Sequence, residues 1–123
     1  MNKEFIPYEQ ALSLKELGFN ESCLGCYYKD KTFAYHPDSD AFVDTPLYQQ
    51  AFRWFREKYN LRGFIGFRPN VKQFDCHVYD MSLSGKEYVQ QRTMEEFNKD
   101  PKVGTYEEAE LACLNKLIEI VKQ

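Results

Sequence analysis

The residue types able to do chemistry in this chain are four cysteines, two histidines, and a run of arginines and lysines set among aromatic rings. Cys23-Leu-Gly-Cys26 places two thiols at the spacing that can grip one zinc ion. Cys76 and His77 are adjacent on an expected strand, so they point to opposite faces and cannot share a metal. The metal reading is therefore a site of Cys23, Cys26, His36 and His77. There is no second CxxC and no HxxxH, so ordinary reduced thiols are the preferred reading, and neither a metal nor a cofactor is expected. His77 shares its expected face with Asp75, the kind of acid that orients a catalytic histidine, but no serine or cysteine motif supplies a nucleophile. The chain is accordingly expected not to be an enzyme. Asp38, Asp40 and Asp44 lack the central glycine and closing glutamate of a calcium loop, and read as a solvated loop.

The basic run is the stronger signal. Between Arg53 and Lys72 stand Arg53, Arg56, Lys58, Arg62, Arg68 and Lys72 against one acid, Glu57, in a chain whose net charge is −3. Cations interleaved with phenylalanine and tyrosine are the make-up of many nucleic-acid surfaces. Arg62-Gly63-Phe64-Ile65-Gly66-Phe67 superficially resembles a strand of the RNA-recognition motif, but misses two of its positions. The α-β-β-β-α order expected after Thr45 is that of a double-stranded-RNA-binding domain. The lysine cluster which that family carries at its last helix is replaced here by Tyr106-Glu107-Glu108. Nucleic-acid binding through residues 53–72 is thus the alternative reading, and the net charge weighs against it. Surplus aromatics beside arginines also mark protein interfaces. The leading expectation is a non-catalytic accessory protein that binds a protein partner or its own copy. Its surface would be Arg53, Trp54, Arg62, Phe64, Arg68, His77 and Tyr79. Zinc binding through Cys23 and Cys26 is the third reading.

The elements that must position these residues follow from periodicity and punctuation. Residues 7–17 predict a first helix, with Pro7 at its first position and Gly18-Phe19 as its stop. Residues 23–36 predict a hairpin turning at Asp30-Lys31, and residues 37–44 a loop. Thr45 predicts the cap of a second helix, with Pro46 first and Tyr48, Ala51, Phe52, Phe55 and Tyr59 on one face. Trp54 lies off that stripe. Residues 62–68 and 74–80 alternate as antiparallel strands. Phe74, Cys76, Val78, Ile65 and Phe67 are expected toward the core, with Arg62, Phe64, Arg68, Asp75, His77 and Tyr79 on the other face. A third strand is expected near 86–91 and a helical turn at 93–98. Thr105-Tyr-Glu-Glu108 predicts a capping box that opens a final helix. In that helix Tyr106, Ala109, Cys113, Leu117 and Ile120 share a face, which Leu114, Ile118 and Val121 widen. The fold class is α+β, a small antiparallel sheet with helices packed on one face, in the order α-ββ-α-βββ-α.

At 123 residues, with 43% hydrophobic and 16% aromatic content, the chain is expected to fold as a single domain over residues 1–123. No apolar run approaches a membrane span, so no membrane partner is expected. Met1 to Phe5 leads into an amphipathic pattern rather than an apolar leader core, so the expected location is cytoplasmic.

Three segments, EFIPYEQALSLKELGF, TPLYQQAFRWFREKYNL and TYEEAELACLNKLIEIVK, together with the hairpin between the first two, carry a resemblance. They resemble a group of short uncharacterised proteins of gut-bacterial phages and mobile elements, over about half of the chain. No activity, cofactor or site residue is assigned to that group. The resemblance implies a small accessory protein, of the kind that acts on a host component.

Overall fold

A computed structural model of the chain describes residues 3–35, 40–69, 72–81 and 105–123. The fold is mixed α+β, with three helices and two small antiparallel sheets among the described residues. These residues form two compact units, Met1–Ala51 and Phe52–Gln123, and the division falls inside a helix. The strand near 86–91 and the turn at 93–98 lie outside the described residues.

The first unit holds α1 (Tyr8–Glu16), three short strands, and the first turn of α2 (Tyr48–Tyr59). Pro7 stands at the cap of α1, one place earlier than its sequence position suggests. The helix stops as expected. Gly18 takes φ 99°, the Gly18 amide donates to the Lys15 carbonyl, and the Phe19 amide donates to the Leu14 carbonyl. That bond pair is a Schellman ending, and a side chain at Gly18 would be strained there. β1 (Gly25–Tyr27) pairs with β2 (Phe33–Tyr35) across the expected turn, where the Asp30 carboxylate accepts from the Thr32 amide at 2.9 Å.

Part of the expected loop is instead a strand. β3 (Val43–Thr45) pairs antiparallel with β1, making the order β2-β1-β3. Thr45 therefore ends a strand and does not cap α2. Its hydroxyl is buried and donates to the Ile6 carbonyl at 2.6 Å, and the Tyr27 hydroxyl donates to the same oxygen at 3.0 Å. Because the oxygen keeps one donor when the other is lost, Thr45→Val should cost only about 1 kcal/mol. Adding Tyr27→Phe leaves that carbonyl buried and unpaired, so the double variant should lose more than the sum. Urea midpoints at constant m-value test this, and strict additivity would refute the shared-acceptor account.

The second unit holds the rest of α2, the ribbon β4 (Leu61–Arg68) and β5 (Gln73–Asp80), and α3 (Tyr106–Lys122). Asn60, at φ 55°, turns the chain from α2 into β4. Leu61 pairs with Asp80 and Arg68 with Gln73, so every residue of the ribbon is in register. α3 begins with the expected capping box. The Glu108 amide donates to the Thr105 hydroxyl at 3.1 Å, and the Thr105 amide donates to the Glu108 carboxylate at 3.2 Å. α3 packs on both strands of the ribbon. Gly63 lets it approach: a Cβ there would lie 2.8 Å from Cys113 Sγ and 3.1 Å from a Leu117 methyl carbon.

The buried stripe of α3 is Ala109, Glu110, Cys113, Leu114, Leu117 and Ile118. It is rotated away from Tyr106, which is exposed, and takes in Glu110. Burial, reinforced by the Glu107 carboxylate, pushes the Glu110 carboxyl from 4.5 up to about 7, against a hydrogen bond from Tyr106. The folded state thus holds this proton more tightly than the unfolded chain. Its contribution is fully favourable below about 4.5 and is lost as pH rises through about 7. Glu110→Gln should therefore raise the melting temperature above neutral pH and leave it nearly unchanged at acid pH. An equal shift at both pH values would contradict the assignment.

Candidate functional site

The ribbon separates two faces by simple alternation. Toward α3 point Leu61, Gly63, Cys76 and Val78. Phe67 was expected with them, but it is 52% exposed. It lies at the turn end of the ribbon, near where α3 starts; its ring meets Phe74, and Phe74 in turn meets Tyr106, the first residue of α3. Ile65 is half-buried. On the opposite face stand Arg62, Phe64, Gly66 and Arg68 from β4, paired with Tyr79, His77, Asp75 and Gln73 from β5.

That outer face is an aromatic stack between two cations. The Phe64 ring lies 4.8 Å from His77 at 13° and 5.5 Å from Tyr79 at 6°, so the three rings are nearly parallel. Phe64 is 38% exposed, and Arg62 and Arg68 are exposed at either end of β4. Six residue steps along the strand separate the two arginines by roughly 20 Å. Among the described residues neither arginine is in an ion pair, and the same holds for Arg53 and Arg56 on α2.

Among the described residues, the one carboxylate on this face is covered. Asp75 is buried, and its Oδ1 lies 3.1 Å from His77 Nε2. Both lie over Gly66, where a Cβ would sit 2.6 Å from Asp75 Oδ1 and 3.2 Å from His77 Nε2. A glycine inside a strand is the sequence signal for such an approach, though it does not say what approaches. His77 Nδ1 is buried and has no hydrogen-bond partner among the described residues. A polar atom left so is rare and calls for an explanation.

Trp54 does not belong to the outward set in which the sequence pattern places it. It is 6% exposed, edge-on to Phe55 at 5.1 Å and to Tyr59 at 5.5 Å, with Lys58 Nζ over its ring at 5.1 Å. The buried stripe of α2 is thus rotated toward Trp54 and away from Phe52, which is half-buried. The other six residues, Arg53, Arg62, Phe64, Arg68, His77 and Tyr79, are exposed or half-exposed. Five of them share the ribbon's outer face.

No family model, curated protein or solved structure matches this chain.

Of the zinc candidates, Cys23 and Cys26 lie in the first unit. Cys26 is buried in β1, and Cys23 donates to the Glu21 carbonyl at 3.3 Å. Burial, with the Asp44 and Glu21 carboxylates nearby, pushes the Cys23 thiol up to about 12, away from the thiolate that a metal needs. His36 lies outside the described residues, among which no three histidine, cysteine or acidic side chains converge. A groove of about 550 Å³ in the first unit is lined by Lys15, Phe19, Glu21, Phe42 and Asp44. Its cation is already engaged, since Lys15 Nζ sits over the Phe42 ring and reaches the Phe42 carbonyl. No described helix is long and apolar enough to cross a membrane.

Proposed function

We propose that this chain is a non-catalytic binding protein that works through the outer face of β4 and β5. The observation that carries the reading is the exposed Phe64, stacked with His77 and Tyr79 and flanked by two arginines that have no ion pair among the described residues. Folded chains commonly pair or solvate their arginines beside polar neighbours. An arginine–aromatic surface whose described acid is covered is suited to hold something else. The histidine favours binding over catalysis, because Nε2 faces a carboxylate and Nδ1 is buried, which leaves neither nitrogen poised for a substrate proton. An accessory role in phage or mobile-element biology is the setting that the sequence resemblance implies.

Affinity capture from a bacterial lysate tests the reading. The immobilised chain is compared with the Arg62→Glu/Phe64→Ala/Arg68→Glu variant, after circular dichroism shows that both are folded. At least one species, protein or nucleic acid, should be retained by the wild type and lost by the variant. Identical eluates, together with a strictly monomeric wild type by light scattering, would discard the reading.

A further inference from the structure

We infer that the partner of this face is a single-stranded nucleic acid, with a base on Phe64 and backbone phosphates on Arg62 and Arg68. The inference rests on the binding reading above and gives its ligand a chemical class. Charge is the first argument. Whatever the chain's net charge, this face presents two exposed guanidinium groups, and among the described residues its one carboxylate is buried against His77. A polyanion meets cations there, and no described acid on this face is exposed to repel it. A partner offering exposed carboxylates would satisfy the charge, but not the second feature.

That feature is the planar stack. Phe64 is held flat by His77 and Tyr79 at 13° and 6°, so its ring is already oriented and loses little freedom when another ring is laid against it. Bases offer a flat π-face whatever their identity, and stacking on an aromatic side chain is how single-strand binders hold them. A duplex hides those faces, so the site selects unpaired strands. The geometry fits as well. Roughly 20 Å between Arg62 and Arg68 spans a few nucleotides of extended strand, with Phe64 between them.

Fluorescence anisotropy of labelled oligonucleotides about 10 residues long, RNA and DNA in separate arms, tests the proposal on the full chain. Two phosphate contacts predict a salt slope near −1.4, so affinity should fall about sevenfold from about 50 to about 200 mM salt. Phe64→Ala should weaken binding roughly 5- to 150-fold, while Phe64→Trp should restore it. Arg62→Glu/Arg68→Glu should abolish both binding and its salt dependence, and a duplex of the same length should compete poorly. No anisotropy change at low salt overturns the proposal, as does binding indifferent to Phe64→Ala or equal affinity for duplex. The two levels of argument separate cleanly. If oligonucleotides fail while lysate capture still yields a nuclease-resistant species dependent on this face, the nucleic-acid ligand is wrong and the binding surface stands. If capture also shows no dependence on the face, both fall.

Discussion

Leu117→Asp should leave no soluble folded protein. Leu117 is fully buried in the middle of α3, and its methyl and Cγ carbons lie over Gly63 of β4. Removing the leucine forfeits about 2–3 kcal/mol of apolar burial. The aspartate adds a charge at a fully buried position, at a cost of several kcal/mol more, or else it is forced to take up a proton. A domain of this size has only about 5–15 kcal/mol of net stability, and α3 is the element that covers the ribbon. Leu117→Ala isolates the apolar part. It should cost about 2–5 kcal/mol and lower the melting temperature without abolishing the fold. Glu119→Ala, on the exposed side of the same helix, breaks only the surface pair with Lys116 and should change stability by less than about 0.5 kcal/mol. The readouts are soluble yield, circular dichroism and thermal midpoint. A soluble Leu117→Asp variant melting with the wild type would mean that α3 is not the cover of the ribbon.

What the sequence made legible was whatever depends on local rules. Thr105 and Glu108 fix the start of α3 through bonds three residues apart, and Gly18 with Phe19 fixes the stop of α1 in the same way. Alternation placed Arg62, Phe64 and Arg68 opposite Cys76 and Val78 without reference to the rest of the chain. The misses are all tertiary. β3 is three residues long, and it is a strand because β1 offers it an edge; the chain from Phe42 to Thr45 carries no alternation that separates it from a loop. Trp54 was placed outward because a helical wheel locates a stripe only to within about one residue, and the neighbouring rings of Phe55 and Tyr59 decide the rotation. Phe67 obeys the alternation, but α3 begins too close to the turn end of the ribbon to cover it. At the candidate site, the side chains were readable and their arrangement was not. Asp75 and His77 are two apart on one strand, which puts them side by side. That the carboxylate would be buried follows from Gly66 across the ribbon, a relation that only the register reveals.

Gly63→Ala should destabilise the second unit by about 2 kcal/mol, and the loss should shrink when Cys113→Ala accompanies it. The added Cβ would stand 2.8 Å from Cys113 Sγ, closer than side-chain carbons approach, and 3.1 Å from Leu117 Cδ1. Overpacking of this kind typically costs 1–3 kcal/mol, since α3 must lift or its side chains leave their preferred rotamers. Cys113 is fully buried, so Cys113→Ala alone opens a small void and is itself destabilising. Together the new methyl enters the space that the sulfur vacates, and the double variant should be more stable than the sum of the two losses by about 0.5–3 kcal/mol. The Leu117 contact remains, so full recovery is not expected. The sulfur's contact with the His77 carbonyl, at 3.8 Å, is too long and too weak to change that balance. Urea midpoints of the four proteins give the coupling directly, and a coupling indistinguishable from zero would show that Gly63 and Cys113 do not share one space. The same series bears on function. The stack of Phe64 with His77 and Tyr79 lies on the far side of the strand pair that α3 holds. If the ribbon is the rigid platform for that stack, Gly63→Ala should weaken oligonucleotide binding along with stability, and the double variant should recover both.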